Sequence, residues 1–374
     1  MRSRANVRRM FGGNTSRGFF SLYSNIIDQE ATRIIVIKGG PGVGKSTFMK
    51  YIGDSMVEKG HDVEYFHCSS DPESLDGLVI PGLRVALIDG TAPHIVDPRF
   101  PGAVDEILHL GDYWDEAAMR SHRQEIIRLT KEVGCLFQRA YRFLRAAGDI
   151  LDDWSDANSE ALDFGEANRV ARTVLDETVD NAEVAASPGH ERHLFASAIT
   201  PLGFVNYLDT VVSGCPRRFI LEGGPGSGKS TLISKVAQRV VECGYDVELY
   251  HCSLNPSSLE HLVVPALGVA VITSVEPHLW VPAADHGPDE VLVDMDQCLD
   301  PRAVDKNAEV IAYDREMMNK MMDRAVIFLK QALEAHDTLE SFYIPNIDFD
   351  AVRGIREQTL QRILGWEKEM EAGI

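Results

Sequence analysis

The constraint that outweighs all others in this chain is a repeat. Shifted by 184 residues, the sequence overlays itself from Arg33 to Asp112 without a gap, with 35 identities in 80 positions. GGPGVGKST (Gly39–Thr47) falls on GGPGSGKST (Gly223–Thr231), and DVEYFHCS (Asp62–Ser69) falls on DVELYHCS (Asp246–Ser253). Upstream, Phe11, Phe20 and Tyr23 fall on Phe195, Phe204 and Tyr207. Downstream, both copies turn helical: Ala117–Leu151 and Asn168–Val179 in the first, Ala308–Leu339 and Ala351–Leu364 in the second. A repeat of this kind predicts two copies of one fold, and 374 residues is enough chain for two domains. The first module is expected over 1–188, with its core at about 11–115 and a helical hairpin at about 116–184. The second is expected over 189–374, with its core at about 193–300 and helices at about 301–370. Ser187, Pro188 and Gly189 form the breaker cluster between them.

Each copy carries the spacing Gly-x4-Gly-Lys-Ser, at Gly39, Gly44, Lys45 and Ser46 and at Gly223, Gly228, Lys229 and Ser230. This motif has meaning only between a strand and a helix. Ile34–Ile37 and Phe219–Leu221 read as short buried strands entering the loops. Phe48, Ile52 and Met56, then Leu232, Val236 and Val240, give the four-residue spacing of a helix leaving them. Gly60 and Gly244 stop those helices. Glycines let backbone N–H groups turn inward around a phosphate and keep Cβ atoms out of its way. The helix N-terminus adds its positive dipole end. The candidate phosphate cradles are therefore Gly39, Gly40, Pro41, Gly42, Val43, Gly44, Lys45, Ser46 and Thr47, and Gly223, Gly224, Pro225, Gly226, Ser227, Gly228, Lys229, Ser230 and Thr231. Lys45 and Lys229 place an ammonium on phosphate oxygens, and Ser46 and Ser230 are candidate Mg²⁺ ligands.

On these residues the chain resembles the P-loop NTPase superfamily. With the HCSSDPESLDG and DGTAPH segments included, it is similar to a family of bacterial tandem P-loop ATP-binding proteins. The resemblance implies ATP and Mg²⁺ as ligands and an ATPase or ATP-binding activity; it supplies no substrate beyond the nucleotide. The fold it implies is two α/β domains in tandem. Each is a three-layer α/β/α sandwich with a mainly parallel sheet, followed by a helical hairpin.

The two copies differ where a metal-binding carboxylate is expected. Val85–Asp89 reads as a hydrophobic strand ending in an acid, which makes Asp89 the candidate; a turn cap before Gly90 is the plainer role. The second copy has Thr273 there, with Glu276 three residues on. The first site is accordingly expected to hydrolyse and the second mainly to bind. Asp105-Glu106 and Asp289-Glu290 occur in both copies, and Glu106 is a candidate for orienting water, against the plainer reading of first-turn acids on a helix. Asp76 and Glu260 also keep an acid in register. His67, Ser69 and Asp71 are expected on the γ-phosphate side, and a zinc set of His67, Cys68 and His94 is the weaker alternative. Arg123, Arg128, Arg139, Arg142 and Arg145 read mostly as a solvated helix face. The lead-in segments Val7–Gly12 and His193–Ile199 are candidates for an extra strand, and Arg2, Arg4, Arg8 and Arg9 read as a basic tail.

Composition removes several classes. The net charge of −20 opposes nucleic acid as the main partner. No apolar run spans a membrane, and no membrane partner is expected. Six cysteines without a C-x-x-C pair read as reduced thiols in a cytoplasmic protein. What remains is an ATP-driven switch that acts on an unidentified protein partner. The alternatives are a phosphotransferase with a small-molecule acceptor and a scaffold that binds ATP without hydrolysing it.

Overall fold

The structure, a computed structural model, describes residues 5–92, 95–179, 183–277, 279–281 and 289–372. In the first half the strands are β1 (Val7–Phe11), β2 (Gly13–Thr15), β3 (Gly18–Phe20), β4 (Arg33–Lys38), β5 (Val63–His67), β6 (Leu75–Ile80), β7 (Val85–Asp89) and β8 (Asp105–His109). Its helices are α1 (Lys45–Glu58), α2 (Glu116–Ser121), α3 (Arg123–Ser159) and α4 (Phe164–Val179). The second half repeats them as β9 (Glu191–Leu194), β10 (Ser197–Thr200), β11 (Gly203–Asn206), α5 (Leu208–Val211), β12 (Arg217–Glu222), α6 (Lys229–Glu242), β13 (Val247–His251), β14 (Leu259–Val264), β15 (Val269–Thr273) and β16 (Asp289–Asp294). Two helices close the chain, α7 (Pro301–Tyr343) and α8 (Phe349–Glu371).

Each half builds one six-stranded sheet, ordered β1-β5-β6-β7-β4-β8 and, with the same topology, β9-β13-β14-β15-β12-β16. Five strands of each are parallel to one another. β6 and β14 run against both neighbours. The reversal has a local cause. The turns Pro81–Arg84 and Pro265–Gly268 are far shorter than a parallel crossover requires, so they join antiparallel neighbours. The lead-in strands pair within their own half, β1 on β5 and β9 on β13.

Alternate strand residues feed different cores. Val85 and Leu87 join Ile35, Ile37, Phe48 and Ile52 under α1. Ala86 and Ile88 point the other way, into a core that also holds Ala270, Ile272, Ile220 and Tyr250 of the second half. The two sheets thus share their inner faces. Among the described residues, only the four-residue α5 and the short turn at Tyr23–Asn25 add helical pieces to that core. The three-layer sandwich expected for each half is therefore not formed: the second helical layer is replaced by the other half.

That inner core contains a buried ion cluster. Arg8 donates to Glu64 (2.9 Å), Glu248 (2.8 Å) and the Tyr250 hydroxyl (2.6 Å), while Arg192 donates to Glu64 at 2.7 Å and Glu248 at 3.3 Å. Burial alone would raise the Glu248 carboxyl, but Arg8 and Arg192 hold it below its usual range. Arg8 is no solvated tail residue; it is a strand residue locked between the halves.

The helices cross over. α8, from the second half, contributes Val352, Leu360 and Ile363 to the core under the first sheet. α4, from the first half, contributes Ala171, Val174 and Val179 to the core under the second. The long helices do not fold back as hairpins on their own copy. α3 and α7 run antiparallel along each other. Asn307 Nδ2 donates to Ala157 O (2.9 Å), the Phe143 and Phe328 rings stack at 5.6 Å, and His122 meets Phe342 at 5.1 Å. Ala140, Leu144 and Ala147 mesh with Ala325, Phe328 and Leu329 in the seam. Among the described residues no helix is long and apolar enough to cross a membrane.

Candidate functional site

Both glycine-rich loops stand at the carboxyl ends of the central strands β4 and β12. Gly42 (φ 69°) and Gly44 (φ 86°) adopt left-handed backbone that a side chain would strain, as do Gly226 (79°) and Gly228 (95°). The turn they make directs the first N–H groups of α1 and α6 into the loop. Val43 and Ser227 are buried beneath it, whereas Thr47 and Thr231 are exposed on the first helical turn.

Lys45 is the first residue of α1. Its Nζ lies 2.9 Å from Gly40 O, 3.2 Å from Gly39 O and 3.6 Å from Asp89 Oδ2. Asp89 Oδ1 accepts from Thr91 N (2.8 Å), so Asp89 caps its turn and faces Lys45 at once. Thr91 Oγ1 ties the same segment to Gly39 O (2.9 Å). Ser46 Oγ accepts from Leu75 N at 3.0 Å, and Ser230 Oγ accepts from Leu259 N at 3.1 Å. These bonds fix the start of β6 and β14 against the loop helices. There the sheet register slips: Phe66 faces Gly77 but His67 faces Leu75, and Tyr250 faces His261 but His251 faces Leu259. The extra residue is acidic in both copies, Asp76 and Glu260. Bulges of this kind re-aim a side chain. The sequence carried the signal, an acid in register in both copies, but its place beside the loop came from the reversed strand.

The second loop is chemically different. Lys229 Nζ contacts Gly224 O (2.6 Å) and Ser227 Oγ (3.2 Å), and among the described residues it has no ion pair. Burial pushes its ammonium down to about 8, against the opposing pull of Asp296 and Glu260. Thr273 ends β15 where Asp89 ends β7, and its N–H donates to the buried His261 Nδ1 (3.1 Å). Asp296 Oδ1 accepts from Gly224 N at 3.0 Å.

Other candidates fall elsewhere. Glu106 is the second residue of β8 and pairs in register with Ile35, three residues before the end of β4. At about 3.3 Å per strand residue this sets it roughly 10 Å back from the loop. Its carboxylate accepts from Arg362 of α8 (2.7 Å), so it braces a crossing helix and is removed from the catalytic set. Asp105 caps a turn, accepting from Arg99 N (3.0 Å) and Phe100 N (2.6 Å). Asp289 accepts from Arg217, and Glu290 accepts from Arg218 (3.2 Å) and the Trp280 indole (3.1 Å). Asp71 shapes its loop, accepting from Ser74 Oγ (2.5 Å) and Glu73 N (3.2 Å). His67 Nδ1 donates to Pro72 O (2.8 Å), and burial pushes the imidazole down to about 4. Cys68 Sγ accepts from Ser70 N at 3.4 Å; its companion in the zinc set, His94, lies outside the described residues, as does His278. Arg128 pairs with Glu125 and Glu132 on the solvated face of α3.

What the sequence did not announce is that each loop is covered by the opposite half. At the first loop, Glu340 Oε1 of α7 accepts from Gly42 N at 2.8 Å. A Cβ built on Gly40 would lie 2.8 Å from the Tyr343 ring, and one on Gly42 would lie 2.9 Å from Ile344. At the second, Asn158 Nδ2 of α3 donates to Pro225 O (2.7 Å), and a Cβ on Gly226 would lie 2.0 Å from Ser155 O. Amphipathic periodicity marks the buried face of a helix but not what it is buried against. Beside the first loop, Asp112–Asp115 and Pro345–Asp348 line a cavity of about 470 Å³. The Trp114 indole N–H is buried there without a hydrogen-bond partner among the described residues.

Comparison with known proteins is sparse. The family described as nephrocystin 3, N-terminal, matches residues 20–79, the stretch from the end of β3 through the first glycine-rich loop and α1 into β6. The match covers that stretch alone. Neither the curated proteins nor the solved structures contain a match to the chain.

Proposed function

We propose that this chain binds nucleoside triphosphate, ATP by the resemblance of its motifs, at two P-loops, and that the first hydrolyses it with Mg²⁺. The observation that carries the reading is the grouping of Lys45, Ser46 and Asp89 at one loop, with Lys45 Nζ 3.6 Å from Asp89 Oδ2. In phosphoryl transfer the protein mainly positions and neutralises charge. Lys45 exchanges the Gly39 and Gly40 carbonyls for phosphate oxygens. The N–H groups of the loop donate to the remaining phosphate oxygens.

The donor set suits Mg²⁺, which takes oxygen ligands from a hydroxyl, carboxylates and water. Ser46 and Asp89 would hold the ion; the Asp76 carboxylate, next to Leu75, accepts from the Tyr23 hydroxyl at 2.7 Å. When bound, the ion neutralises charge developing on the transferred phosphoryl group. The second loop keeps Lys229 and Ser230 but has Thr273 in place of a carboxylate, which favours binding over turnover. Its role is then regulatory, and the partner that reads the nucleotide state is a protein or a small-molecule acceptor.

The test is phosphate release from ATP–Mg²⁺ by the full chain beside Lys45→Ala and Lys229→Ala. Loss of a charge-assisted phosphate contact of about 1.5–3 kcal/mol predicts roughly 10- to 150-fold weaker binding at the altered loop. Release should vanish with Lys45→Ala and persist with Lys229→Ala. Equal turnover from both loops would remove the division of labour. Nucleotide binding with no release from the unaltered chain would replace hydrolysis by the scaffold or phosphotransferase reading.

A further inference from the structure

The covering of the two loops is reciprocal but not equivalent. α7 ends on the first loop and α3 ends on the second, and the two helices are antiparallel partners along a shared apolar seam. At the first loop the contact is a carboxylate on a backbone N–H, Glu340 Oε1 on Gly42 N at 2.8 Å. The features that favour a phosphate there, inward N–H groups and the N-terminal end of α1, favour any anion. At the second loop the contact has the opposite polarity: the neutral Asn158 amide donates to a loop carbonyl, Pro225 O, and Ser159 Oγ lies 3.4 Å from Gly226 O. Among the described residues no carboxylate of α3 takes a loop N–H there; the one that does, Asp296 Oδ1 on Gly224 N at 3.0 Å, comes from the loop's own half.

We propose that Glu340 is an internal competitor of nucleotide phosphate at the first loop, a carboxylate held in the phosphate position by the other half of the chain. The inference rests on reading the loops as phosphate cradles. ATP enters the first loop only as Glu340, Tyr343 and Ile344 withdraw, and the charge–dipole contact of Glu340 sets how much ATP is needed.

The experiment is calorimetric titration of ATP–Mg²⁺ into the full-length chain carrying Lys229→Ala, so that the first loop alone is read. Glu340→Gln and Glu340→Ala are compared in that background with Asp337→Asn, an exposed acid one turn away whose carboxylate lies within 4.8 Å of that of Glu340 but takes no loop N–H among the described residues. Replacing a charged hydrogen bond by a neutral one or by none predicts about tenfold tighter binding for both Glu340 variants. Asp337→Asn should stay within about twofold, as expected of a screened surface charge. The Trp114 ring meets Tyr343 edge-on at 5.8 Å, so its emission, isolated with a Trp114→Phe control, should shift as ATP displaces the end of α7. ATP binding of equal strength with and without Glu340 overturns the inference while the nucleotide reading stands. An equal gain from Asp337→Asn also overturns it, because general repulsion then explains the effect. Absence of ATP binding in the unaltered chain and in every variant removes the nucleotide reading and the inference together.

Discussion

Lys229 shows how far a single residue was legible. Its identity and its place at the start of a helix follow from the motif alone. Its depth does not: burial in the covered second loop pushes the ammonium down to about 8 from 10.5. The charge is present below that pH and lost above it, so nucleotide affinity at the second loop should fall as pH rises from 7 to 9. The slope should approach tenfold per unit above about pH 8. Titration of ATP–Mg²⁺ into Lys45→Ala protein at a series of pH values checks this, and a flat profile would contradict it. Other residues were read wrongly for the same reason, that a sequence does not reveal its neighbours. Arg8 stands among arginines that look like a tail, yet it bonds to Glu64, Glu248 and Tyr250 between two sheets. Glu106 recurs in both copies as a catalytic acid would, yet it faces Arg362. Asp89 was legible because a strand ending in an acid is a local pattern.

At the scale of the element, strands and helices were written in the periodicity, and their partners were not. β4 and β12 read as buried apolar runs, and α1 and α6 as four-residue repeats, because burial on a fixed face imposes that spacing. The reversal of β6 was implicit in the length of the Pro81–Arg84 turn. The destination of α8 was not, since its apolar stripe would suit either sheet. The crossing gives a direct prediction. Ile363 is fully buried in the core beneath the first sheet although it belongs to the second copy. Ile363→Ala should cost about 2–5 kcal/mol in chemical denaturation, with hydrogen exchange accelerating in β4 and α1 of the first half. Acceleration confined to α6 and β12 would show that α8 sits on its own copy instead.

At the scale of the molecule, the repeat foretold two alike halves and the structure returns them with identical strand order. It did not foretell that the unit of packing differs from the unit of sequence. Residues 1–188 contain the first sheet but not α8, the helix that completes its core; they do contain α4, which the repeat places in the position of α8. Expressed alone, this segment should therefore either fail to fold or form a symmetric dimer in which each copy lends α4 to the other. Sedimentation and light scattering of the purified segment decide the matter, and a stable folded monomer would refute the exchange.

That exchange also bears on how unlike the two sites are free to become. Two separate half-chains trading helices would have to be identical, and every change made in one cradle would appear in the other. Joined end to end, they escape that symmetry: Asp89 can stand opposite Thr273, and Glu340 opposite Ser155, within one molecule. The linkage also makes the pairing independent of protein concentration, since each helix finds its groove at the high local concentration set by the tether. One continuous chain thus keeps the interlocked architecture of a dimer and gains the freedom to let its two loops diverge.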